Sequence, residues 1–343
     1  MLFRVPGPRG RGREAKGTFR QLKACMETRT NMNNLLTALN CVLPIFIKLS
    51  VGYVAKRLGI VTEAVVPQLN KLCFNALLSV YMFYSVYTAD FDRAFSPRLI
   101  AFLVLQTLLL FAGGAVLFSR TVPDPRRRGA CLQALFRSNI AIIGIALAQT
   151  LTDEAGVASM TIAITVLVPL YNTLAVIALE SLRGGKPSVP HLLCCILKNS
   201  LIVGSLTGLA FSLLGIRLSS AVESAMVSLG QAGTVLALVT LGISFNFSTL
   251  KQGWKQVVLL SCLRLVVIPL AVMLCAIALG FRGNDLSVTL LVSAAPMAAT
   301  AFAMAQIYNS DYELTGQVVV STSLFCCFTF FFWIFILKQL GLI

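Results

Sequence analysis

The chain has 343 residues, of which 57% are hydrophobic and only 12% are charged, with a formal net charge of +15. So few charged residues cannot cover the surface of a soluble protein of this length, so we expect the chain to lie in a lipid bilayer. The ten cysteines fall mostly in apolar stretches without zinc-ligand spacing, and His191 is the only histidine. We therefore expect no metal, no cofactor and no enzyme activity, because neither a histidine-based metal site nor a Ser/His/Asp triad can be assembled.

Apolar stretches of about 20 residues, the length that crosses the hydrocarbon core, recur along the chain with short polar breaks between them. They predict an all-α membrane protein with about ten transmembrane helices, here called spans 1 to 10. The predicted spans are 35–57, 63–87, 98–119, 130–150, 155–181, 192–215, 219–245, 254–280, 286–308 and 313–338.

The orientation of the spans follows from the positive charges in the loops, because cytoplasmic loops retain Lys and Arg. The odd-numbered loops carry eleven such residues and the even-numbered loops carry four. This predicts a multi-pass protein of the cytoplasmic (inner) membrane with both termini outside. Residues 1–31 oppose that orientation with eight basic residues, and their Gly, Pro and Arg content predicts a disordered tail. We expect this tail to be a mis-assigned start, with Met26 or Met32 as the true one, and expect no nucleic-acid partner.

The two halves of the chain resemble each other at an offset of about 156 residues. Gly52, followed by the run 58–60 at the end of span 1, matches Gly208, followed by the run 214–216 at the end of span 6. Ala146, Ala148 and Gln149 in span 4 match Ala303, Ala305 and Gln306 in span 9, at an offset within one residue of the first match. Because each half holds five spans, an odd number, the second half must insert upside down. We therefore predict two inverted five-helix repeats, an architecture used by transporters.

Spans 4 and 9 carry helix-weakening residues at membrane depth. Arg137, Ser138, Asn139 and Gly144 interrupt span 4, and the segment from Asn139 lies about 13–21 Å from the start of the span. Pro296 interrupts span 9 at a similar depth and is followed by Thr300. Such breaks are tolerated in lipid only where protein or a water-filled cavity satisfies the freed backbone groups. Restarted helices would aim partly positive N-terminal amides into that cavity, which suits a carboxylate. A packing kink is the alternative interpretation.

These residues carry a resemblance to a known family. The run Arg137-Ser138-Asn139 with Gly144, the Tyr171-Asn172 pair before Glu180, and the Ala-Ala-Pro run that ends at Pro296 resemble the auxin efflux carrier family of membrane transporters. The resemblance implies two inverted five-helix units whose helices 4 and 9 cross at the substrate site. It also implies a homodimer. No long loop separates spans 5 and 6, so the chain is similar to the compact prokaryotic members.

The resemblance also implies a division into moving and static parts. It assigns residues 32–87 and 192–245 to scaffold helices, and residues 98–181 and 254–338 to transport helices that move against the scaffold. A small carboxylate such as malate, malonate or lactate is then the expected substrate, by analogy with the family.

The charges inside the spans are basic. Every acid lies in a loop or at the end of a span, whereas Lys71, Arg137 and Arg264 lie about 10–15 Å inside spans 2, 4 and 8, where an uncompensated charge is costly. Snorkelling to the interface is the alternative for Lys71. An anionic substrate is therefore favoured over a cation. Further polar candidates for the pocket are Asn70, Asn75, Tyr171, Asn172 and Gln231.

The sequence thus predicts a secondary transporter that moves a small organic anion across the membrane by alternating access, in an elevator-like manner. A sodium-coupled symporter similar to the bile acid symporters is one alternative, and its activity would depend on sodium. A membrane sensor on the same fold is another, and its ligand would bind without crossing. A membrane-embedded enzyme ranks below both.

Overall fold

The computed structural model describes residues 43–88, 96–182, 189–245 and 247–343. The predicted basic tail at 1–31 and the first residues of span 1 lie outside this part of the chain. Within it, the regular secondary structure is helical, and two extended segments, 137–139 and 295–299, are joined by an isolated bridge between Ser138 and Met297. The prediction of an all-α protein is confirmed for the described residues.

The first half of the chain forms the helices α1 to α6. They are α1, described over 43–57; α2 at Val66–Leu72, Cys73–Leu77 (a π-helical turn) and Leu78–Tyr87; α3 at Pro97–Thr121; α4 at Pro125–Phe136; α5 at Ile140–Gly144 (a π-helical turn) and Ile145–Leu151; and α6 at Glu154–Ser181.

The second half forms the helices α7 to α13. They are α7 at Val189–Lys198; α8 at Ser200–Leu213; α9 at Ser220–Ser244; α10 at Phe247–Cys262, Leu263–Val267 (a π-helical turn) and Ile268–Ala278; α11 at Gly283–Ala294; α12 at Thr300–Ile307; and α13 at Tyr312–Gln339.

Aspartates fix the starts of three of these helices. The side chains of Asp124, Asp153 and Asp311 accept hydrogen bonds from backbone N–H groups in the first turns of α4, α6 and α13. Such caps satisfy N–H groups that have no partner inside the helix, and the negative charge suits the positive end of the helix dipole. The polar breaks of the sequence therefore set where these apolar helices begin.

Five helices in the described residues are long and apolar enough to cross a bilayer. They are Pro97–Thr121, Glu154–Ser181, Ser220–Ser244, Gly253–Ala278 and Tyr312–Gln339. A bent pair, Pro190–Lys198 with Ser200–Leu213, adds a sixth span if its two helices, inclined by 70°, are counted as one. The predicted spans 4 and 9 each consist of two shorter helices, α4 with α5 and α11 with α12.

Glycines bring four of the helices into close contact. A Cβ atom added to Gly208 of α8 would lie 2.3 Å from the carbonyl oxygen of Phe83 in α2. A Cβ added to Gly52 of α1 would lie 2.0 Å from the carbonyl oxygen of Val239 in α9. Only glycine permits such approach of one backbone to another, as in small-residue interfaces between membrane helices. α2 is therefore held against α8, and α1 against α9.

Candidate functional site

The interruptions of spans 4 and 9 lie side by side in the structure. The Asn139 N–H donates to the Pro296 carbonyl oxygen at 2.8 Å, and the Ala298 N–H donates to the Arg137 carbonyl oxygen at 3.1 Å. Ser138 and Met297 form an antiparallel bridge between these two bonds. Backbone groups that the broken helices leave without a helical partner therefore satisfy each other across the junction, as a break inside a membrane requires.

Arg264 of α10 donates hydrogen bonds to both sides of the junction. Its side chain is 1% exposed, and it donates from Nε to the Ala295 carbonyl oxygen at 2.8 Å and from Nη1 to the Leu135 carbonyl oxygen at 2.7 Å. Nη2 donates to Ser138 Oγ. Carbonyls at the end of a helix have no partner within it, and a cation is favoured there by the helix dipole. Arg264 thus bonds to the C-terminal ends of both α4 and α11.

Two hydroxyl groups tie the same segments to their surroundings. Ser138 Oγ donates to the Val292 carbonyl oxygen of α11 at 2.6 Å. Thr322 Oγ1 of α13 accepts the Met297 N–H at 3.2 Å. Both side chains are buried, so each bond satisfies a polar group that water does not reach. The extended segments are therefore fixed on both sides.

A cavity of about 70 Å³ lies against this junction. Its walls come from the two extended segments, the first turn of α5, the start of α12, and the helices α2, α6, α8 and α9. The lining residues are Leu78, Tyr81, Met82, Arg137, Ser138, Asn139, Ala141, Ile142, Val168, Tyr171, Asn172, Leu201, Thr234, Ala237, Leu238, Ala298, Ala299 and Thr300.

Arg137 supplies the charge of this cavity. Although it lines the wall, it is only 2% exposed. Its two terminal nitrogens donate to four neutral acceptors, which are Gln133 Oε1 at 2.8 Å, Met304 Sδ at 2.6 Å, Asn172 Oδ1 at 2.8 Å and Thr300 Oγ1 at 3.1 Å. None of the described residues that line the cavity is acidic. The positive charge is therefore hydrogen-bonded, but no carboxylate on the wall balances it.

Six of the predicted site residues come together on the cavity wall. They are Arg137, Ser138, Asn139, Tyr171, Asn172 and Thr300. They come from three separate parts of the chain, which are the two interruptions and the middle of α6.

The other predicted site residues lie away from the lining of the cavity. Pro296 accepts the Asn139 N–H, and Gly144 packs so closely on Met160 that an added Cβ would come within 2.3 Å of Met160 Cε. Asn70 is buried and donates from Nδ2 to Gln306 Oε1 of α12.

Three predicted residues, Lys71, Asn75 and Gln231, are exposed, and Arg264 has the bonding role described above. Asn75 accepts a hydrogen bond from Ser200 Oγ at 3.1 Å, and Lys71 and Gln231 are exposed. The position of a residue within a predicted span does not show whether its side chain is exposed or lines the cavity.

Sequence reasoning missed the α2 and α9 part of the wall, which includes Tyr81, Met82 and Thr234. Met82 Sδ accepts from Asn172 Nδ2 at 3.6 Å. It also missed Gln133, whose Oε1 atom holds Arg137 while its buried Nε2 atom has no hydrogen-bond partner among the described residues. The spacing of Gln133 and Arg137, four residues apart on one helix face, was the available signal.

Comparison with known proteins identifies the family. The family described as "Membrane transport protein" matches residues 37–191 and 187–334. An "Uncharacterized transporter" of Methanothermobacter thermautotrophicus is 25% identical over 288 residues, which cover 82% of this chain and 93% of that protein. "Uncharacterized transporter MJ1031" of Methanocaldococcus jannaschii is 22% identical over 312 residues, covering 87% of this chain and 98% of that protein. The chain, with its apolar membrane-length helices, therefore belongs to this membrane transport protein family, the auxin efflux carriers.

Proposed function

We propose that the protein is a secondary transporter that binds a small organic anion, with a carboxylate group, in the cavity beside Arg137. The observation that carries this proposal is a buried guanidinium on the cavity wall whose four partners are all neutral. A buried charge without a counter-charge is costly, and intramembrane bases usually face a substrate pathway. A ligand carboxylate would supply the missing negative charge.

The arrangement also offers the ligand a place to bond. Thr300 Oγ1 is on the wall, and its 3.1 Å contact is the longest of the nitrogen-to-oxygen contacts of Arg137. A carboxylate oxygen is a stronger acceptor for a guanidinium than a hydroxyl, so it would replace Thr300 there. The released hydroxyl could then donate to the second carboxylate oxygen. Ala298 and Ala299, which precede α12, line the same wall, so a helix N-terminus adds partial positive charge.

The size of the cavity favours a small ligand. A cavity of about 70 Å³ is several times the roughly 10–15 Å³ that a cavity needs to hold one water molecule. Most of the wall is apolar, with a few polar groups that would fix orientation, as in most ligand sites. Malate, malonate and lactate are the candidates that follow from the family analogy.

We further propose that the fold contains two inverted five-helix repeats, of which the second half repeats the first after about 156 residues. Gly52 and Gly208 are equivalent at this offset, and so are Phe83 and Val239. Gly52 of the first half packs against the Val239 carbonyl of the second half. In the same way, Gly208 of the second half packs against the Phe83 carbonyl of the first half. Such reciprocal contacts support an internal two-fold relation. Alternating access would then be a movement of the transport helices against α1, α2, α8 and α9.

The test is uptake by purified protein in proteoliposomes, measured with labelled malate, malonate and lactate and with a matching set of small amines. We expect uptake of at least one carboxylate and of none of the amines. Replacing Asn139, on the wall, by Ala should reduce that uptake, whereas Asn75→Ala, on an exposed face, should leave it unchanged. Uptake of amines with no response to carboxylates would overturn the assignment.

A further inference from the structure

A cluster of potential metal ligands lies away from the cavity, where the end of α6 meets α7. It consists of Glu180 of α6 with His191 and Cys195 of α7, and the ligand atoms of all three lie within 4.8 Å of one another. Residues 183–188, which connect the two helices, lie outside the described part of the chain. His191 and Cys195 are four residues apart and therefore occupy one face of α7.

The distances within the cluster fit a tetrahedral ion. His191 Nε2 is 3.8 Å from Glu180 Oε2 and 3.5 Å from Cys195 Sγ. Zinc bonds of about 2.0–2.1 Å to nitrogen, 2.0–2.2 Å to oxygen and 2.3 Å to sulfur place neighbouring tetrahedral ligands about 3.4 Å (N to O) and 3.6 Å (N to S) apart. Both distances from His191 are thus within about 0.4 Å of the tetrahedral spacings. The Glu180 oxygen and the Cys195 sulfur lie within 4.8 Å of each other and would have to approach to about 3.6 Å.

A hydrogen-bonded cluster accounts for these contacts less well. One nitrogen atom, Nε2 of His191, faces both the carboxylate and the sulfur. Nε2 carries either one hydrogen or one lone pair, so it can hydrogen-bond along only one of these directions, and 3.8 Å exceeds a normal hydrogen-bond length. A cation between the three atoms would use all of them at once. Imidazole, thiolate and carboxylate together are donors that zinc accepts.

We propose that Glu180, His191 and Cys195 form a Zn²⁺ site that joins α6 to α7. The carboxylate and the thiolate together balance the charge of the ion, and a water molecule would complete the tetrahedron as the fourth ligand. Asn199, the N-cap of α8 four residues after Cys195, donates from Nδ2 to Tyr308 Oη just after α12 at 3.2 Å.

Bound Zn²⁺ would inhibit transport. Glu180 belongs to the predicted transport helices and Cys195 to the predicted scaffold, so an ion that joins them opposes their relative movement. This consequence rests on the proposed function, whereas the existence of the site does not.

Metal binding is tested with the metal-stripped full-length protein in detergent, using Cd²⁺ as a spectroscopic probe for the thiolate. We expect one ultraviolet Cd²⁺–thiolate band per chain, displaced by Zn²⁺. The band should disappear in Cys195→Ser and persist in Cys194→Ser, the matched control at the exposed neighbouring position. His191→Gln and Glu180→Gln should weaken binding by at least about 10–100-fold, because loss even of partners that only orient metal ligands has that effect.

Two outcomes would overturn the site. One is a Cd²⁺–thiolate band that survives in Cys195→Ser, and the other is equal affinity in wild type, His191→Gln and Glu180→Gln. Because these readouts involve no substrate, they remain informative if the protein fails to take up carboxylates.

Inhibition by Zn²⁺ is tested by measuring carboxylate uptake into proteoliposomes that contain the purified protein. Zn²⁺ should strongly reduce uptake by the wild type and by Cys194→Ser. It should leave uptake by Cys195→Ser unchanged. Equal inhibition of wild type and Cys195→Ser would show that Zn²⁺ does not inhibit transport through this site. Absence of uptake in metal-free wild type would contradict the proposed transport function instead, and the thermal stability of the wild type in Zn²⁺ would still report the joining of the two helices.

Discussion

Replacement of Arg264 by Met tests whether this residue holds the two broken helices together. The guanidinium donates to the Leu135 and Ala295 carbonyl oxygens, which lie at the ends of α4 and α11. The Asn139 N–H, which would bond to Leu135 in a continuous helix, bonds to Pro296 instead. Methionine has a similar length but no donor, so both carbonyls would be left buried without the partner that Arg264 provides.

The expected loss of stability follows from those two carbonyls. Each buried acceptor that loses its partner costs about 1–3 kcal/mol, which gives about 2–6 kcal/mol for Arg264→Met. At roughly 2 °C per kcal/mol for a chain of this size, the melting temperature should fall by about 4–12 °C. Arg264→Lys should lie between the variant and the wild type, because an ammonium group cannot reach both carbonyls with the fork geometry of a guanidinium.

The measurement is thermal unfolding in detergent micelles at one fixed heating rate, since the unfolding of large proteins is commonly irreversible. Arg120→Met, at an exposed position near the end of α3, is the control and should stay within about 1 °C of the wild type. If Arg264→Met melted together with this control, the proposed role of the guanidinium at the helix ends would be wrong.

Two further changes probe the packing and one helix start. Gly208→Ala places a Cβ against the Phe83 carbonyl and should cost about 1–3 kcal/mol in thermal unfolding, whereas Gly113→Ala, which meets open space, should cost nothing measurable. The hydrogen bond from the Gly156 N–H lowers the pKa of Asp153, so its contribution to stability is present above the ordinary aspartate pKa and lost as the pH falls through the folded value. Asp153→Asn keeps a good cap, and its melting temperature should depend less on pH below about pH 4 than that of the wild type. An unchanged melting temperature of Gly208→Ala, or equal pH profiles, would count against these two contacts.

The sequence located the junction because its residues conflict with a membrane helix. Asn139 and Pro296 are visible against Leu- and Ala-rich surroundings, and they lie at equivalent places in the two halves. Helix-breaking residues at membrane depth have few explanations in lipid, so the pattern was informative.

The roles of the two buried arginines could not be read in the same way. Arg137 and Arg264 have similar depth in their spans, but only Arg137 lines the cavity. The acceptors of Arg264 are backbone carbonyls of Leu135 and Ala295, and backbone groups carry no sequence signal. Their proximity depends on tertiary packing.

Helix faces were a second limit. Asn75 and Gln231 are polar residues in apolar spans, yet both are exposed. In a bilayer the outer face is apolar as well, so hydrophobic periodicity does not separate the lipid-facing side from the interior.

The cluster at Glu180 was missed for a different reason. Metal-ligand motifs describe ligands that are close in sequence, whereas this cluster combines residues of two helices.

The proposed function requires that an anion binds beside Arg137. Its most direct test is thermal unfolding of wild type, Arg137→Gln and the surface control Arg120→Gln, each with and without the carboxylate that stabilises the wild type most. A ligand at 100 times its Kd stabilises the folded state by about 2.7 kcal/mol, so wild type and Arg120→Gln should show a clear rise in melting temperature. Arg137→Gln should show none. An equal rise in Arg137→Gln would place the anion elsewhere and contradict the account.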